Sequence, residues 1–157
     1  MKEILTSIEI AATPERVWTV LTDFEAYDEW NPFARIAGKP NVGAHPQVRL
    51  TPPDGRAMTF RPEVTVVEPD RELRWLGHLY VPGLFDGEHR FVLEPLDGGA
   101  RTRFVHAETF GGVLAGPLLR MVGDDTQAGF EAMNGALKRR AEERTEKEQA
   151  PRPSTAE

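Results

Sequence analysis

His89, His106 and Glu108 are the side chains whose types and spacing could do chemistry. His106 and Glu108 stand two residues apart, which in a strand puts them on one face about 7 Å from each other. His89 belongs to the preceding strand pattern, which reaches them through the turn sequence Asp97-Gly98-Gly99. Two imidazoles and a carboxylate admit three readings. They could be a facial metal triad. They could be an acid–base set, because histidine titrates near neutrality and a buried glutamate can be raised toward it. They could also be polar cavity residues, bonded to one another, to rim arginines or to water. Composition closes most other routes. There is no cysteine, and Ser7 and Ser154 are the only serines. Of the lysines Lys2, Lys39, Lys138 and Lys147, three lie near the chain ends or in the charged last helix. Thiolate, serine-hydrolase and Schiff-base chemistry are therefore excluded as expectations, and proton transfer falls to His, Asp, Glu or Tyr.

Strands must position these groups. Ile4, Thr6, Ile8 and Ile10 alternate with Leu5, Ser7 and Glu9, a period of two that predicts a first strand. Thr13-Pro14 opens a short helix with Val17, Trp18 and Leu21 on one face, and a second short helix runs from Phe24 to Trp30 before Asn31-Pro32 stops it. Further strands are expected at 34–38, 46–51, 57–67, 71–79, 85–95 and 100–110, separated by Pro/Gly/Asp turns. Gly116-Pro117 opens a long helix to about residue 147, with Met121, Phe130, Met133 and Leu137 at three-and-four spacing. Gly123 and Gly129 weaken its first half.

Parity sorts the lining. Arg101 and Arg103 mark the outer face of the last strand, so Thr102, Phe104, His106, Glu108 and Phe110 face inward. By the same reasoning Phe60, Val64 and Val66, then Leu73, Trp75 and Gly77, then Phe85, His89 and Phe91 turn inward. A twisted sheet with one apolar face needs a cover, and only the last helix is long enough to provide it. The expected cavity wall is Phe60, Trp75, His89, Phe91, Phe104, His106 and Glu108, with Met121, Phe130, Met133 and Asn134 from the helix. Trp30 is expected to pack beside the short helices and is a further lining candidate. Tyr80, beside Val81-Pro82-Gly83, is a candidate for the mouth.

A chain of 157 residues fits one domain, expected over 1–147, with a disordered tail at 148–157. The net charge of −6 disfavours nucleic acid and anionic lipid as partners. No signal core or membrane span is read from the first residues or elsewhere, so a cytoplasmic protein without membrane insertion is expected.

The sequence resembles the SRPBCC superfamily, the START-related and birch-pollen-allergen-like helix-grip proteins, in particular their polyketide cyclase/dehydratase branch. The carriers are Ala12-Thr13-Pro14-Glu15-Arg16-Val17-Trp18, Trp30-Asn31-Pro32-Phe33, Leu73-Arg74-Trp75, Gly87-Glu88-His89-Arg90-Phe91, Thr102 to Glu108 and Phe130-Glu131-Ala132-Met133-Asn134, in that order. The resemblance covers about residues 3–145. It implies an α+β helix-grip fold in which a seven-stranded curved antiparallel sheet wraps a long C-terminal helix, with two short helices after the first strand. It further implies a small hydrophobic ligand, lipid-like, aromatic or polyketide. The alternative is a cofactor-independent cyclase or dehydratase using His106, Glu108 and His89. No metal or cofactor is expected, and the chain is expected to be a monomer or homodimer. An enclosed cavity of a few hundred Å³ is the usual size for such a ligand.

Overall fold

Strand β1, Lys2–Ile10, turns Ile4, Thr6, Ile8 and Ile10 to the interior, as its alternation requires. The computed structural model describes residues 2–79 and 81–149. Tyr80, the expected mouth residue, and positions 150–157 of the expected tail lie outside the described residues. Thr13 caps helix α1, Pro14–Thr22, by accepting the Arg16 amide at 3.2 Å. Pro14 sits in the first turn, where its missing N–H costs nothing. A 3-10 turn at Phe24–Ala26 leads into helix α2, Tyr27–Trp30. Asn31 ends it, its side-chain oxygen accepting the amides of Phe33 and Ala34 at 2.9 and 3.0 Å.

The strands that follow are β2 (Ala34–Ala37), β3 (Gln47–Leu50), β4 (Met58–Phe60), β5 (Glu63–Glu68), β6 (Glu72–Leu79), β7 (Phe85–Leu96) and β8 (Arg101–Gly111). The expected strand 57–67 is thus two. Arg61-Pro62 divides it, because proline has no amide for a ladder and restricts the residue before it. Among the described residues eight strands result instead of seven, in an antiparallel five-stranded sheet ordered β1-β8-β7-β6-β5 and a three-stranded sheet ordered β2-β3-β4. Two backbone bonds stitch them together, Gly43 N–H to the Val64 carbonyl at 2.8 Å and Val64 N–H to that of Ala44 at 2.9 Å. A bulge between Val64 and Val66 shifts the register. Val67, paired with Leu73, therefore packs on the core where Val66 was expected.

Helix α3, Ala115–Gln149, crosses the concave face against β1, β8 and α1. From Gly129 onward Phe130, Met133, Asn134, Leu137 and Ala141 are buried. Gly129 must be glycine, since a Cβ there would run into the ring of Phe33. Between Gly116 and Ala128 every residue of α3 is half-buried or exposed. This is the helix-grip architecture expected from the sequence: antiparallel strands, two short N-terminal helices and a long C-terminal helix on the sheet.

Candidate functional site

The unbroken register of β7 against β8 brings the three singled-out residues together. His89 pairs across the ladder with Glu108, and Phe91 with His106. His89 and His106 are buried, walled by Trp75, Phe91 and Phe130. The Phe130 ring stacks on His106 with centroids 4.0 Å apart and planes 9° from parallel.

Their polar atoms form a chain. Thr6 Oγ1 lies 2.8 Å from the His106 carbonyl, Asn134 Nδ2 lies 2.8 Å from Thr6 Oγ1, and Asn134 Oδ1 lies 2.9 Å from His106 Nδ1. His106 Nε2 and His89 Nε2 are 2.7 Å apart, and His89 Nδ1 stands 3.3 Å from Glu108 Oε1, off the line of a good hydrogen bond.

One backbone carbonyl sets every proton in that chain. The His106 carbonyl can only accept, so Thr6 donates to it. The Thr6 oxygen then accepts from Asn134, which must present its NH₂ there and its carbonyl oxygen to His106. His106 therefore donates through Nδ1. Burial, and after it the neighbouring His89, push the His106 pKa well below its ordinary value, so the ring is neutral and Nε2 is a bare acceptor. His89 must supply the Nε2 proton. Its Nδ1 faces Glu108, where a bare lone pair against a carboxylate would be repulsive. A proton between the two groups, on either partner, would relieve that repulsion, although their 3.3 Å approach does not have the geometry of a hydrogen bond. The arrangement is a relay, with its ring nitrogens directed at one another and not converging on a common point.

Glu108 is where the relay meets open space. Gly77 and Gly87 face each other across β6 and β7, leaving that patch of sheet without side chains. The Phe60 ring lies against Gly77, and the Glu108 carboxyl lies over Gly87 so closely that a Cβ there would collide with Oε2. A pocket of about 80 Å³ opens beside them. Phe85 and Phe110 of the sheet, Leu50 and Met58 of the smaller sheet, and Val122 and Thr126 of α3 complete most of its lining. We expect Gly87→Ala to displace Glu108 and cost about 1–3 kcal/mol, the usual penalty of overpacking. Gly111→Ala, with nothing near its Cβ position, should be tolerated. Urea unfolding of the two variants checks the contrast.

The expected lining divides sharply. Phe60 and Glu108 lie in the pocket. Trp75, His89, Phe91, Phe104, His106, Phe130, Met133 and Asn134 do not line it; they are at most 3% exposed and form solid core. Among the described residues these rings pack solidly where the cavity of a few hundred Å³ between sheet and helix was expected. Met121 is 77% exposed and belongs to no wall, since the first half of α3 stands off the sheet. Trp30 is half-buried and packs its ring against Tyr27 at 4.9 Å, outside the pocket lining. Thr6, Gly87 and Thr126 were not singled out from the sequence. Thr6 had a signal, as the polar residue in an inward row of isoleucines.

Among solved structures the fold is similar to the Zhui aromatase/cyclase from Streptomyces sp. R1128, at 18% identity and TM-score 0.73, covering 92% of this chain and 95% of that one. A norcoclaurine synthase of Thalictrum flavum matches at 16% identity and TM-score 0.69, covering 92% and 96%. A protein from Thermus thermophilus matches at 20% and 0.69, covering 92% and 99%. At these identities the likeness is one of fold. No curated protein matches the sequence. Residues 1–142 match the family described as polyketide cyclase / dehydrase and lipid transport. With the helix-grip fold and nearly the whole domain matched, the chain belongs to that family.

Proposed function

We propose that the protein binds a small hydrophobic molecule in the pocket between the Gly77–Gly87 patch and the first half of α3. The observation that carries this reading is the character of the lining, apolar except for a few groups of which Glu108 is backed by a buried relay. Ligand sites share that composition, an apolar wall with few polar groups to orient the guest. The first half of α3 has little packing to lose, so the pocket can widen by moving that segment off the sheet. Membership of a family of cyclases and lipid-transport proteins supports the same ligand class.

Val122→Trp tests the reading, because Val122 lines the pocket while remaining 37% exposed. Native mass spectrometry of the purified protein should show a co-purified small molecule, or one acquired from added naphthalene, and Val122→Trp should lose it while keeping its unfolding midpoint. Equal loading of both proteins would refute the site.

The second reading, a cyclase or dehydratase moving protons through Glu108, is favoured by the continuity of the relay from the pocket to Asn134. It predicts that Glu108→Gln retains ligand while turnover falls about 10²–10⁴-fold. Product formation at the uncatalysed rate in both proteins would leave binding as the function.

A further inference from the structure

The proton order of the relay has a consequence for what the pocket accepts, granted the reading that it is a ligand site. Glu108 turns Oε1 toward His89 Nδ1 at 3.3 Å, and any proton between the two groups lies on that side. Glu108 Oε2 is therefore without a proton in both forms, whether the group is a carboxylate beside imidazolium or an acid donating to imidazole. Among the described residues Oε2 receives no hydrogen bond, and its side chain, 13% exposed, reaches the pocket. Thr126 spends its hydroxyl proton on the Val122 carbonyl at 2.9 Å, so what it offers the pocket is a lone pair. His78 lies 2.7 Å by Nδ1 from the Asp86 carboxylate and commits that N–H there. Among the described residues no arginine or lysine contributes to the lining. Trp75 Nε1, a buried donor without a partner, belongs to the packed core.

An acceptor-lined pocket sorts ligands by their donors. We propose that the site selects uncharged hydrophobic molecules carrying a hydrogen-bond donor, a hydroxyl, phenol or amine, and rejects carboxylates. A phenol seated on Oε2 gains a hydrogen bond; an ether of the same shape leaves two acceptors opposed. A carboxylate would lose its hydration facing another carboxyl group, with no arginine or lysine among the described lining residues.

Three naphthalenes of similar shape make the test: 2-naphthol, 2-methoxynaphthalene and 2-naphthoate, titrated at neutral pH against the full chain. The expected result is 2-naphthol bound at least about tenfold more tightly than the ether, as one hydrogen bond provides, and 2-naphthoate weakest. In Glu108→Leu the preference for 2-naphthol over the ether should vanish while both still bind. Glu108→Gln should bind 2-naphthol more weakly yet keep the order, because its NH₂ takes the place of the shared proton and leaves a carbonyl oxygen on the pocket side. Equal affinities in the unaltered protein, or tightest binding of 2-naphthoate, would overturn the donor rule while leaving the pocket a ligand site. Binding of none of the three would overturn the site itself.

Discussion

Asn134→Leu should destabilise the protein by about 1–3 kcal/mol, the cost of leaving one buried group unpaired. That group is the Thr6 oxygen, while His106 keeps its hydrogen bond to the Phe130 backbone. Leucine has the same number and branching of side-chain heavy atoms as asparagine, so no cavity is opened. Thr6→Val removes the other end of the same chain, and the double variant should cost less than the two single changes added together. Urea unfolding of the four proteins measures the cycle. Strict additivity, or a loss below about 0.5 kcal/mol for Asn134→Leu as at an ordinary surface site, would show that the network does not hold the core.

The second large effect is a fall in stability on mild acidification. His106 is held neutral by burial and by His89, with its folded pKa well below the ordinary value of 6.5. The unfolded chain takes up that proton first. Stability is thus fully present above about pH 6.5 and is lost as the pH falls from there toward the folded pKa, at up to about 1.4 kcal/mol per pH unit for one proton. Between pH 7 and pH 5 the expected loss is about 2 kcal/mol. His89 faces His106 directly, and Glu108 stands behind His89. His106→Gln, which takes away the ring but can still bond to Asn134, should flatten the slope. An unchanged slope in that variant would assign the acid sensitivity elsewhere.

Much of the site was legible in the sequence because β7 and β8 run without a bulge where they carry it. Parity alone placed His89, Phe91, Phe104, His106 and Glu108 on one face, and the outward arginines Arg101 and Arg103 fixed which face that was; both now meet Glu9 on the outside. Parity failed in β5, where the irregularity beside Thr65 exchanged Val66 for Val67, and no residue pattern there announces a bulge. Helical periodicity succeeded for Phe130, Met133 and Leu137 and failed for Met121. Spacing says which residues share a face, but not whether that stretch touches a sheet. The empty space was the least legible feature. Six rings that could have walled a cavity fill it instead, and the room that exists comes from Gly77 and Gly87 meeting across two strands, a pairing set by register. The proton order was hidden too, since it depends on Thr6 and Asn134, 128 positions apart in the chain.

The His106 carbonyl, through Thr6 and Asn134, fixes the tautomer of His106 and so makes His89 the donor between the two rings. Nitrogen-15 NMR of the imidazole side chains at neutral pH reads this directly. His106 should be the neutral Nδ1–H tautomer with a bare Nε2, and His89 should carry its proton at Nε2. A His106 signal showing the Nε2–H tautomer, or a protonated ring at that pH, would contradict the account.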